Sequence, residues 1–360
     1  MSASPIPKLK VNEPARSPMR THDLSRAHLT RGRMFAILGS LIAILAACAL
    51  IAVSFGSVHI SLLRAISDPS SPDHAIFFAA RLPRVLMGIA IGAVLASVGA
   101  ALQALVRNPL AEGGILGISG GGALGAIVAL VMFSRLGGGE AVVPLFAFGA
   151  ALLSTLAVYR LALVDGQLDP LTLLLCGVIF NAFWGAAIML VNSVVNFYFT
   201  HSILFWLMGS LEAPTYSEVA IVSALGLVGF AVLMFHARDM NLLALGDESA
   251  AELGVNVDRL RRLTFFATSI MIGAAVSVSG IITFVGLIVP HTLRLAFGSD
   301  HRLLLPASLI GGAAFMVAAD LLARIVIAPA EIPVGAITAL CGGPFFILML
   351  RRESRRPFSL

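Results

Sequence analysis

Residues 263–297 read LTFFATSIMIGAAVSVSGIITFVGLIVPHTLRLAF, and how this stretch is divided decides the fold. It holds no charged side chain before Arg294. At about 1.5 Å per residue the run from 263 to 293 would reach roughly 46 Å as one helix, against a bilayer hydrocarbon core of about 30 Å. Something must break inside it. Gly280 lies midway and Pro290 near the end, so the stretch predicts two short or interrupted spans rather than one.

Outward from there, the windows between consecutive charged residues run 34–63, 85–106, 113–134, 141–159, 170–211, 219–237, 263–293, 303–319 and 332–350. A lipid-spanning helix satisfies its backbone groups internally and needs about 20 mostly apolar residues, which these windows supply. With 58% apolar and 12% charged side chains over 360 residues, and a mean hydropathy of +0.96, the chain reads as an integral membrane protein. A soluble fold, a secreted disulfide scaffold and a disordered chain are excluded. The window 170–211 is also long. Its second half carries Asn192, Asn196, Thr200, His201 and Ser202 among aromatics, which reads as one span followed by an interfacial excursion.

Charge sets the topology. Both tails are basic, with Lys8, Lys10, Arg16, Arg20, Arg26, Arg31 and Arg33 at one end and Arg351, Arg352, Arg355 and Arg356 at the other. Both belong in the cytoplasm, so the number of spans is even. Dividing only 263–297 gives ten spans. It leaves Arg64, Arg81, Arg84, Arg135 and Arg324 outside and the other 19 of 24 basic residues inside. Dividing 170–211 instead keeps only 15 inside. The expected organisation is a disordered basic tail over 1–33, a ten-helix membrane domain over 34–351 with a cytoplasmic loop at 238–262, and a cytoplasmic tail over 352–360.

The only lysines, Lys8 and Lys10, sit in the N-terminal tail. No phosphate-cradling loop with its lysine can be built, so nucleotide energy must come from another subunit. Cys48, Cys176 and Cys341 lie in apolar windows without a C-x-x-C pair and read as packing residues. Gly113, Gly117, Gly121 and Gly125 recur every four residues, as do Gly88 and Gly92, and predict close helix packing. In the loop, Leu245-Gly246-Asp247-Glu248-Ser249-Ala250-Ala251-Glu252-Leu253-Gly254 has an acidic start and a glycine stop, which suits a short helix across the membrane face.

Several separated runs then match a known pattern. Arg81-Leu82-Pro83-Arg84, Gly99 to Leu105, Arg107-Asn108-Pro109-Leu110-Ala111, Ala244-Leu245-Gly246-Asp247, Gly286 to His291 with Arg294, Asp300-His301-Arg302 and Glu331-Ile332-Pro333-Val334-Gly335 follow in order. The chain resembles the permeases of binding-protein-dependent ABC importers of the FecCD or BtuC type, over essentially Phe35 to Arg351. The resemblance implies a homodimer in a bacterial inner membrane, with two ATP-binding subunits that use ATP and Mg below and a periplasmic binding protein above. No cofactor, metal or nucleic acid is expected on this chain.

It also implies that the loop from Leu245 to Gly254 couples to the ATPase. Arg81, Arg84 and Arg324 are expected to dock the binding protein as exposed guanidinium groups, although Asp320, one turn away, could neutralise Arg324. Asn181, Met189 and Asn192 are expected along the translocation path. The overall resemblance puts haem first as cargo, then ferric siderophore, then cobalamin. Two other classes are open: an ion-coupled secondary transporter using Asp320, the single acid within a predicted span, and an intramembrane serine protease using Ser119 of Gly117-Ile118-Ser119-Gly120 with His291. Two arguments weigh against them. Asp320 has a ready arginine partner, and Ser119 sits in the glycine ridge.

Overall fold

A computed structural model describes residues 30–56, 58–133, 139–195 and 197–353. The tail to residue 29 and the residues from 354, with most of the expected tail charges, lie outside the described residues, as does Arg135. The first helix, α1 (Arg31–Ser54), starts within the expected tail, where the Thr30 side chain caps the backbone N–H of Arg33. A short α2 (Leu62–Ser67) precedes α3, a continuous run of 34 residues (Pro72–Leu105). It includes a π-helical turn at Ile76–Arg81.

The long stretch divides as its sequence predicts. Helix α11 (Val257–Ser279) ends at Gly280 (φ 68°) and α12 (Val285–Phe297) restarts after Phe284, which also has positive φ. Between α3 and α11 the chain forms α4 (Ile118–Phe133), α5 (Gly139–Leu161), a hairpin of two-residue strands β1 (Leu163–Val164) and β2 (Gln167–Leu168), α6 (Pro170–Val194), α7 (Phe197–Met208) and α8 (Tyr216–Phe235). The loop at 238–262 carries α9 (Ala237–Leu243) and α10 (Asp247–Glu252), and α13 (His301–Ile325) and α14 (Val334–Glu353) close the chain.

Seven of these helices are long and apolar enough to cross a membrane, and α4, α12 and the apolar part of α14 are shorter. The shortness of α4 has a local cause. The window 113–134 opens with a 3-10 turn at Gly113–Leu116, and Gly117 (φ 78°) redirects the chain before the helix begins. The window 170–211 resolves into a span-length α6 and a 12-residue α7, as expected.

Helix α3 lies at the centre, packed along α13, α11 and α12. Its backbone comes so close to α13 that a Cβ on Gly92 would fall 2.2 Å from the carbonyl oxygen of Gly312. Gly121 and Gly125 allow a similar approach of α4 to Ser154 and Ala150 of α5. In the opposite extreme, α6 leaves almost all its apolar surface exposed, with Met189 at 75% and Val194 at 78%. Cys341 is exposed rather than packed.

Candidate functional site between two charge clusters

A cavity of about 640 Å³ opens beside α6. Its wall includes Asn181, Met189 and Asn192, the three residues expected along a path, together with Glu112, Ser119 and Thr283. The remainder is mostly aliphatic. Asn181 also braces the wall, since its Nδ2 donates to the carbonyls of Gly114 (2.8 Å) and Ile115 (3.3 Å). Glu112 Oε2 accepts the backbone N–H of Phe284 at 2.8 Å. One carboxylate thus ties the 3-10 turn to the break between α11 and α12. Sequence reasoning missed Glu112 because it lies in a turn-rich gap between windows, and only the tertiary fold brings it to a cavity.

At one end of the bundle lies α10. Gly246 (φ 110°) precedes it, and the Leu245–Gly254 stretch closes as expected. The N–H of Gly254 donates to Ala251 O and that of Val255 to Ala250 O, while Gly254 takes φ 87°. That pair of bonds around a left-handed glycine is a Schellman stop. The carboxylate of Asp247 accepts two bonds from Arg261 Nη2 of α11 (2.8 and 2.7 Å) and lies 3.5 Å from Arg107 Nη2 in the segment after α3. Nearby, Asn241 of α9 donates to Asp300 and accepts from the backbone of His301 at the start of α13, each at 2.8 Å. Arg302 donates to Asp300, and with the Asn241 amide holds its carboxyl down to about 2. Neither Arg107 nor Arg261 stands out in the sequence as a partner of the loop helix.

The other end carries the three arginines expected at a docking surface, and their geometry corrects that expectation. Arg81 is 5% exposed and turned inward, donating to the carbonyls of Val53 (2.9 Å), Ser54 (2.8 Å) and Val58. The last carbonyls of α1 have no intrahelical donor, and the guanidinium supplies one. Arg84 pairs with Asp320 (2.9 Å) and Glu331 (2.7 Å). Arg324, 3% exposed, pairs with Asp320 at 3.0 Å and reaches the carbonyls of Ala52 and Phe55. Buried guanidinium groups require counter-charges and acceptors, and these helix ends provide them. Asp320 is therefore bound between two arginines, which leaves no free acid there for ion coupling. Ser119 makes no hydrogen bond to His291 among the described residues, and His291 packs edge-on to Phe345.

The match to known proteins is extensive. Residues 44–352 match the FecCD transport family. The chain belongs to the FecCD transport family. It is 45% identical over 278 residues to the cobalamin import system permease protein of Halobacterium salinarum, covering 76% of this chain and 73% of that one. To the hemin transport system permease protein of Yersinia pestis it is 39% identical over 330 residues, covering 89% and 97%. An inward-facing structure of a transporter assigned to the metal-chelate ABC type aligns with a TM-score of 0.78 and 30% identity, over 88% of this chain and 99% of that chain. The FecCD chain described here is thus a multi-pass ABC transporter permease subunit. It is not itself an ATPase and binds no cofactor.

Proposed function

We propose that this chain, as a homodimer, forms the translocating core of a binding-protein-dependent importer in a bacterial inner membrane. Ten helices span the bilayer, counting α4, α12 and α14, with both termini and α10 on the cytoplasmic side. The cargo is a large metal chelate or tetrapyrrole. Haem and cobalamin, the cargoes named for the two relatives, bound that class, with ferric siderophore between them. The observation that carries the reading is the cavity, whose wall holds Asn181, Met189 and Asn192. Helix α10 receives the motion of two ATP-binding subunits, and the spans open to one side at a time.

The binding protein docks at the Asp320 end. There Arg81, Arg84 and Arg324 shape the surface from within by fixing the ends of α1, α3 and α13. Arg64 of α2, with a side chain 66% exposed, meets the partner's carboxylates. Reconstitution of the permease with its ATPase and binding protein tests the reading, with ATP-dependent uptake as the expected outcome. Gly254→Pro removes the N–H that bonds Ala251 and demands a negative φ where the backbone has 87°. Transport should fall by about tenfold or more while ATP hydrolysis persists, because a distorted stop changes the aim of α10 by more than one hydrogen bond's worth. Uptake driven by a proton gradient in place of ATP would end the proposal.

A further inference from the structure

The cavity beside α6 is chemically one-sided. Among the described residues its lining contains no lysine, arginine or histidine. Its one charged group is the Glu112 carboxylate, set among the neutral polar side chains of Ser119, Asn181, Asn192 and Thr283. Glu112 uses Oε2 for the N–H of Phe284, and Oε1 has no hydrogen-bond partner among the described residues. Asn181 spends its Nδ2 on Gly114 and Ile115, which leaves its Oδ1 as the free end. Asn192 Oδ1 likewise has no partner. A carboxylate in mainly aliphatic surroundings asks for a donor.

We propose that Glu112 is a specificity-determining residue, and that the cavity selects metal chelates presenting carboxamide N–H or ammonium groups over those presenting carboxylates. The proposal deepens the importer reading and rests on it. A tetrapyrrole with two free carboxylates would bring negative charge to a wall whose one charged group is itself a carboxylate. A corrinoid edged with carboxamides, or a hydroxamate chelate with a terminal ammonium, would supply the donors that Glu112 and Asn181 lack. Cavity chemistry thus turns against haem, the cargo that overall resemblance places first. Glu112 sits on the segment that leads into α4 and is pinned to the start of α12, so its position is fixed by backbone rather than by a flexible stem.

The test uses the assembled permease and ATPase in nanodiscs, without the binding protein, so that selection by that protein does not enter. Three probes are compared by direct binding: cyanocobalamin, haemin, and haemin diamide, in which both carboxylates are converted to carboxamides. The diamide should bind about tenfold more tightly than haemin, as one gained hydrogen bond implies. Glu112→Gln, which keeps the acceptor for Phe284 but replaces the free oxygen by a donor, should narrow that ratio to near unity.

Equal binding of haemin and its diamide by the native protein overturns the proposal, and that comparison holds even if the variant fails to fold. A ratio untouched by Glu112→Gln overturns the role of Glu112. Failure of the importer reading looks different, because the full assembly with its binding protein would then show no ATP-driven uptake of any probe.

Discussion

The two ends of the bundle use the same residue types to opposite effect. At one end Arg84, Arg324 and Asp320 are sealed among α3 and α13, with Asp320 at 1% exposure and Arg324 carbonyl-bonded to the end of α1. At the other, Asp247 is 41% exposed and holds the buried Arg261 and the exposed Arg107 from two different segments, so water reaches the pair from the carboxylate side. A sealed pair cannot separate without leaving a charge in a low-dielectric interior, so it fixes helices. A wet pair can exchange protein partners for water at little cost, so it permits movement. Burial, rather than charge pattern, separates the rigid end from the adjustable one.

The largest effect should come from the sealed end. Asp320→Asn leaves Arg84 with Glu331 alone and Arg324 with only backbone acceptors. Breaking a buried pair by removing one partner costs about 3–5 kcal/mol. Melting in detergent should drop by many degrees, and packing at the ends of α1 and α3 should loosen together. Replacing Asp320, Glu331, Arg84 and Arg324 jointly by apolar residues of similar size should recover part of the loss, because no orphan charge remains. A wild-type melting temperature for Asp320→Asn would make this end no different from the other.

Much of this contrast was hidden in the sequence, and the reason is physical. Gly280 marked the break between α11 and α12 because a local backbone requirement shows in local residue choice, and Gly254 marked the end of α10 for the same reason. The expectation of ten spans rests on charge distribution, which is a whole-chain property, whereas the described residues show seven span-length helices and three shorter apolar ones. The arginines went astray because a charge at a helix end reads alike whether it faces water or a neighbouring helix. Only packing shows that Arg81 meets the carbonyls of α1. Glu112 escaped notice because its partner, Phe284, is 172 residues away in the chain. Asn181, Met189 and Asn192 are expected along a path at a dimer axis, as mild contacts for a large cargo, and the structure puts all three on the wall of one cavity.

A smaller effect belongs to the wet end. Arg261→Gln removes both bonds to Asp247, but Arg107 and water remain to satisfy that carboxylate. The expected stability loss is about 1–2 kcal/mol, above that of a fully exposed pair because Arg261 is buried, and below that of a sealed one because Asp247 is open to water. Coupling should suffer more than folding, read as a lower ratio of cargo moved to ATP hydrolysed, since α10 loses its tie to α11. A melting loss as large as that of Asp320→Asn would show that the Asp247 pair is a lock as well, and the contrast between the ends would fail.

The smallest effect concerns Asp300, and its pH dependence gives the contrast a sign. Bonds from Arg302 and Asn241 lower the carboxyl from 3.8 to about 2. A carboxylate whose pKa is depressed on folding stabilises above its unfolded pKa, and that stabilisation fades as pH falls through the folded value. Asp300→Asn should therefore lower the melting temperature slightly at pH 7 and pH 5, by an amount worth about 1 kcal/mol once solvent screening at a partly exposed carboxylate is allowed for. The gap to the native protein should close between about pH 4 and pH 2 as the native carboxylate takes up its proton. A gap that widened on acidification would mean that Asp300 is protonated in the folded protein at neutral pH. The Arg302 and Asn241 contacts would then not be those of a charged acceptor, and this end of the bundle would be less open to water than its exposure indicates.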